Sequence, residues 1–216
     1  MSASPVSPRL SKGGLVLVDP ISAAVMRVIS LQYNPDSLSR SFQIQAIGPE
    51  GNRAEAMRLK GPPVETIRLE AELDGTDQLE RADGMMMAIG LLPQIAALET
   101  IVYPTTDELF ANDRLARSGT LEIVPMESLL SLFVWSKNRV LPVRITELGV
   151  TEEAFDPSLN PIRAKVTLSM RVLSVDDLGF DHKGGSLYMA YQQQKERWAK
   201  MSSPGSLATL GIGAIR

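Results

Sequence analysis

Carboxylates are the one family of acid–base groups that the 216-residue chain supplies in clusters. Asp74 and Asp77 close one apolar segment, and Glu152, Glu153 and Asp156 gather before a proline turn. Two carboxyls facing one cleft in different environments can share the work of general acid and base in a hydrolase. Closeness at a strand end does not make such a cleft, and turns select acidic residues for their own backbone bonding. Solvated turn charge is therefore the preferred reading and a carboxylate-dependent hydrolase the lesser alternative. The chain has no cysteine and one histidine, which removes thiol nucleophiles, disulfides, thiolate metal sites and the usual multi-histidine sets for zinc or iron. His182 sits in GFDHKGG, a glycine-flanked loop, and reads as a surface residue rather than a base. Gly211-Ile212-Gly213 holds a fragment of a phosphate-binding pattern without the strand and helix that would give it meaning. No catalytic, cofactor-binding or metal-ligating residue is assigned, no cofactor is expected, and the chain is read as a non-enzyme.

The elements that would position any site follow from composition and period. Lys and Arg number 22 against 25 Asp and Glu, a net charge of −3, with 44% hydrophobic and 5% aromatic residues. That balance is ordinary for a globular chain and gives no global electrostatic case for nucleic acid or an anionic membrane. A chain of this length buries roughly 70% of its unfolded surface, enough for one large domain. The opening MSASPVSPRLSKGG lacks the apolar stretch of a secretory signal. The uncharged apolar run from Met85 to Leu98 has 14 residues and is interrupted by Gly90 and Pro93. This is short of the ~20 apolar residues a membrane helix needs, so no direct membrane insertion is expected.

Residues 1–13 are rich in Ser and Pro and read as a flexible arm; beyond them the dominant period is two. From Val64 to Asp74, Ile67, Leu69, Ala71 and Leu73 share one parity while Arg68, Glu70 and Glu72 share the other. From Ile162 to Ser174, Ile162, Ala164, Val166, Leu168, Met170 and Val172 face one way and Arg163, Lys165, Thr167, Ser169 and Arg171 the other. Both read as half-buried strands with one wet face. Leu130–Ser136 and Val140–Gly149 are expected to form a hairpin about Lys137-Asn138-Arg139, and two X-Pro steps between Phe155 and Pro161 loop the chain back. Gly14–Val18, Arg27–Tyr33 and Ser37–Gln45 are earlier strand candidates, the last two separated by Asn34-Pro35-Asp36. Two helices are expected, Met85–Tyr103, broken or restarted at Pro93, and the amphipathic Ser186–Met201.

Phe133 and Trp135 share a strand parity and read as core, while Met85 to Met87 read first as adaptable packing and second as a soft partner surface. Tyr191 and Trp198 lie near one face of the last helix, where exposed aromatics need a covering surface. Folding back on its own domain and docking on a neighbour both satisfy them. Docking is the preferred alternative, which makes these two the candidate partner-docking residues.

LQYNPDSLSRSFQIQ, PPVETIRLEAELDGTD, GLLPQIAALETIVYP, LLSLFVW and RVLPVRITELGVTEEAFDPSLNPIRAKVTLSMRVL, in this order, resemble the tube-type proteins of phage-tail-like contractile injection systems. In particular they look like the adaptor, or tube initiator, that joins the inner tube to the spike and baseplate. The likeness runs from about Gly14 to Val175. It implies a mainly β (α+β) fold, a tube-type β-barrel or sandwich with a flanking helix and a C-terminal helix. It also implies a hexameric ring as a structural protein of the baseplate, whose partners are copies of itself, the inner tube protein, the spike hub and other baseplate proteins. Assembly would be cytoplasmic, within a particle open to later release.

The organisation expected is an arm at 1–13, a tube-like β domain at 14–175 and a C-terminal helix and tail at 176–216. The LysM-type glycan-binding domain of some relatives has no counterpart in that last stretch, so glycan recognition is not carried over. A ring lumen must stay wet, which makes Arg68, Glu70, Glu72, Arg163, Lys165, Thr167, Ser169 and Arg171 candidates for a lumen or solvent face. The inner-tube subunit is the close alternative to the adaptor, since both use the same β domain. A cell-wall hydrolase at the spike, built on Glu152, Glu153 and Asp156, is the more distant one.

Overall fold

The computed structural model describes residues 11–45, 59–119, 129–202 and 205–213. Its architecture is mainly β with several helices. Among the described residues seven strands form one antiparallel sheet: β1 (Gly14–Val18), β2 (Val25–Ser30), β3 (Leu38–Gln43), β4 (Val64–Asp74), β5 (Leu130–Ser136), β6 (Arg139–Phe155) and β7 (Pro161–Val172). Their order is β2-β1-β5-β6-β7-β4-β3. The expected hairpin across Lys137 and Asn138 is present, with Phe133 opposite Leu141. β6 and β7 form the long hairpin at the centre of the sheet, and β4 lies antiparallel to β7 with Leu69 opposite Leu168.

β2 and β3 follow one another in the chain yet occupy opposite edges of the sheet. Residues 31–37 join them, and that short link rolls the sheet. The Leu31 amide donates to the carbonyl of Gly13 beside β1, while the next side chain, Gln32, reaches the end of β4. In a flat sheet β1 and β4 would be four strand spacings apart, ~19 Å, a gap that adjacent residues cannot bridge. Asn34 completes the seam, its Oδ1 accepting from Gly13 N and its Nδ2 donating to Ser11 O. The mainly β (α+β) architecture is as expected, and among the described residues the rolled sheet is not closed into a barrel: its edge strands β2 and β3 are not paired with each other.

The apolar parity of β4 and β7 lines the inside of the roll. Ile67, Ala164, Val166 and Met170 are fully buried there with Phe133, Leu141 and Val143. The chain between β4 and β5 forms α1 (Thr76–Glu80), α2 (Gly84–Ile89), α3 (Leu92–Glu99) and α4 (Thr106–Arg117). Met86, Leu91, Ile95 and Leu98 from this stretch complete the same core. The helix expected over Met85–Tyr103 is interrupted, as its proline indicated: α2 stops before Gly90 and α3 restarts with Pro93 in its first turn. Gly90 has φ +60° and passes so close to the Pro161 carbonyl that a Cβ would collide with it, whereas Pro93 sits in the first turn of α3, where its missing N–H costs nothing.

α5 (Val175–Leu178) leads into α6 (Lys183–Met201). α6 joins two apolar clusters: Leu187 packs on Val18, Leu130 and Leu132, and Tyr188 and Tyr191 are buried in the main core. The helix folds back on its own sheet through Leu187, Tyr188 and Tyr191, while Trp198 remains partly exposed. Its amphipathic face is satisfied at home. No helix among the described residues is long and apolar enough to cross a membrane.

Candidate functional site

The sheet presents one broad polar face, turned away from the core. In cross-strand order, Arg68 of β4 lies opposite Ser169 of β7, Glu70 opposite Thr167, Glu72 opposite Lys165 and Asp74 opposite Arg163. The eight candidates of this face therefore do share it. Seven are exposed or partly exposed; Ser169 is buried, next to a bulge in β6 where Thr146 Oγ1 donates to the Ser169 carbonyl at 3.0 Å.

That bulge brings in residues the sequence did not reveal. β6 changes parity between Ile145 and Glu147, so Arg144 faces outward before it and Glu147 and Glu153 after it, opposite Arg171, Ser169 and Arg163. A strand that switches parity loses its period-two signature. With these additions the face holds five cations and five carboxylates across β4, β6 and β7. Several are paired: Arg163 with Asp74 at 3.2 Å, Lys165 with Glu153 at 3.2 Å and, at the margin, Arg171 with Asp177 at 2.6 Å. Glu153 holds the Lys165 ammonium more strongly protonated than usual by hydrogen bond and charge. The surface is polar and balanced in charge.

A second polar group lies inside. Glu65, the first residue on the inward parity of β4, is 4% exposed, and Arg40 Nε donates to its Oε1 at 2.6 Å. Arg40 Nη2 is equally close but off-line, so it adds charge attraction rather than a second hydrogen bond. Burial opposes the guanidinium charge, and Glu65 more than offsets it, raising the Arg40 pKa. α6 lies close to this pair: Lys195 stands 5.0 Å over the Tyr191 ring, and burial lowers its pKa against the pull of Glu65. Trp198 meets Tyr191 edge to face with ring centres 6.4 Å apart. Of the two candidate docking aromatics, Tyr191 is 5% exposed and unavailable to a partner, while Trp198 remains 37% exposed.

The acidic cluster does not converge. Glu152 lies opposite Ala164 on the inward parity and Glu153 opposite Arg163 on the outward one, so the two point to opposite sides of the sheet. Asp156 caps its own turn, accepting from Ser158 N and from both nitrogens of Asn160, and these bonds, Asn160 first, hold its carboxyl below the usual range. Asp74 is held low in the same way by Thr76 and then Arg163, whereas Asp77 lies one turn away in α1. His182 is the N-cap of α6, its Nδ1 accepting from Gly184 N at 3.0 Å. No group of three potential metal ligands occurs among the described residues. Met86 is core, its methyl lying where a Cβ on residue 75 would stand, which explains Gly75; Met85 and Met87 on either side are exposed.

No family model matches the chain, and no curated protein does. Among solved structures, a chain from the tail of an empty GTA particle, determined by helical refinement with C6 symmetry, is similar over 74% of this chain and 90% of its own. The identity is 11% and the TM-score 0.30.

Proposed function

We infer that this chain is a structural subunit of a phage-tail-like contractile injection system, a ring-forming adaptor or tube initiator that connects the inner tube to the spike hub and baseplate. The reading starts from the ordered segments that resemble that family. The observation that carries it further is the role of LQYNPD, the first of those segments: Leu31, Gln32 and Asn34 tie β1 to β4 and give the sheet its rolled form. A segment that defines the resemblance is also the one that defines the roll.

The polar face of β4, β6 and β7 suits the wall of a wet lumen, with Arg68, Glu70, Glu72, Arg163, Lys165, Thr167 and Arg171 toward the channel. Five charges of each sign give such a wall little net attraction for a polyanion or a polycation, so transported material would slide rather than bind. The edge strands β2 and β3, unpaired with each other among the described residues, offer backbone groups to lateral neighbours, and a heterologous contact of this kind closes into a ring when its rotation allows. The partners are copies of the chain, the inner tube protein, the spike hub and other baseplate proteins. Catalysis is not part of the proposal, since Glu152 and Glu153 face opposite ways.

Co-expression with the neighbouring tube and spike-hub proteins, followed by native mass measurement, tests the reading. Six copies of this chain bound to both neighbours are expected. A monomer that ignores both would refute it, and unlimited growth of the chain alone into hollow tubes would select the inner-tube subunit instead.

A further inference from the structure

Where β4 and β6 end and β7 begins, the short helices and the β6–β7 turn are stitched into one end of the molecule. Gly75 N donates to Ile162 O, Leu91 N to Pro161 O, and Asn160 Nδ2 to the Ala88 carbonyl. Around this seam Met85, Met87, Ile89, Leu92, Phe155 and Leu159 stand exposed, Leu159 at 79% and Met85 at 63%. Isolated apolar side chains on a surface need no explanation, but a group gathered at one end of a fold marks an interaction surface. Methionine, unbranched and polarizable, suits a contact that must adapt to its partner.

The charge around this patch says what chemistry fits it. Residues 74–92 and 151–165, which build the end, contain seven carboxylates and three cations, a greater acidic surplus than the −3 of the whole chain. Two of the three cations, Arg163 and Lys165, are already in ion pairs with Asp74 and Glu153, so Arg81 alone is left against Asp77, Glu80, Asp83, Glu152 and Asp156. Asp156 stays ionised, its pKa lowered by the bonds from Asn160 and Ser158. The same end of a second copy would bring carboxylate against carboxylate.

We propose that this end docks a different protein through an amphipathic helix or ridge whose apolar side chains cover Met85, Met87 and Leu159 and whose flanks carry Lys or Arg. Under the adaptor reading it is the seat of one of the two axial neighbours; the charge argument does not depend on that reading. The match of acidic rim to basic flank gives orientation and rate as well as affinity.

The probe is an isotope-labelled full chain, observed through its methionine methyl signals, titrated with a Leu/Lys amphipathic helical peptide of about five turns and with its Leu/Glu counterpart. Saturable binding of the Leu/Lys peptide is expected, moving the Met85 and Met87 methyls and leaving the buried Met170 unchanged, with no response to Leu/Glu. Met85→Gln with Met87→Gln, both at exposed positions, should weaken binding about tenfold, the loss of roughly one well-covered apolar side chain. Asp77→Lys with Glu80→Lys should shift preference toward Leu/Glu. Equal response to both peptides, shifts confined to other methionines, or no binding would overturn the proposal. So would movement of Met85 and Met87 with protein concentration alone, which would name a second copy as the occupant. Failure here would leave the ring and its neighbours still to be found or missed in the assembled particle, so the two readings fall separately.

Discussion

Gln32 pairs with Asp74 as though it were a strand. Its Nε2 donates to the Asp74 carbonyl at 2.6 Å, and its Oε1 accepts from the Asp74 amide at 2.9 Å. One side chain thus satisfies both backbone groups at the end of β4, on the seam that ties β4 to the start of β1. We predict that Gln32→Ala lowers stability by about 1–3 kcal/mol, the cost of leaving part-buried backbone groups without partners. Denaturant titration reads the loss, and faster amide exchange at residues 72–76 localises it. An unchanged midpoint would mean that the roll is held by other contacts.

Leu168 and Arg163 lie on the same strand with opposite environments, Leu168 buried at the centre of the core and Arg163 on the outer face. Leu168→Asp should abolish folding, since an unpaired carboxylate at that depth costs several kcal/mol. Arg163→Ala should cost no more than about 1 kcal/mol, as expected for an exposed ion pair. Soluble expression and thermal melting of the two variants give the comparison, and equal behaviour would reverse the assigned faces.

The last helix is part of the body. Tyr191→Ala should destabilise the chain by about 3 kcal/mol or more, as for a large aromatic removed from a core, whereas Trp198→Ala should stay within about 1 kcal/mol. Deleting residues 184–216 should leave an unfolded or aggregated product because both apolar clusters lose their cover. A soluble, cooperatively melting truncation would show that α6 is dispensable to the fold.

Acid should weaken the seam through Asp74. Its bonds from Thr76 and its approach to Arg163 lower its pKa in the folded chain. Between that lowered value and the ordinary carboxylate value the unfolded chain binds more protons, so stability rises with pH across this interval. The contribution is complete above the ordinary value and disappears as pH falls through the native one. Asp74→Asn should therefore lose less stability than the natural chain when pH is lowered from about 6 to about 3, in denaturant titrations at each pH. Parallel curves would remove Asp74 from the acid response.

The parts of this fold written in regular alternation were legible before the structure: the apolar and polar parities of β4 and β7 and the β5–β6 hairpin all lie as their periods indicate. Three features were hidden for physical reasons. The bulge beside Thr146 reverses the parity of β6, so its outward Glu147 and Glu153 carry no single period. α4 buries no side chain, and without an apolar stripe its one sign was the Thr105–Glu108 capping box, a short pattern that was passed over. Glu65 gave no signal of its own and Tyr191 read as a docking residue because sequence alone gives no sign that Arg40 enters the core to meet them. The rolling of the sheet was equally hidden, since it depends on where Gln32 and Asn34 find partners rather than on any periodicity.

The central claim is that six copies of this chain form a ring between inner tube and spike. Imaging assembled particles by electron cryomicroscopy, with this chain tagged at its C-terminus, tests it most directly. The account predicts one ring of six tags per particle at the junction of tube and baseplate, with the faces of β4 and β7 toward the channel. Tags repeated along the whole tube, or particles that assemble and contract normally without this chain, would contradict it.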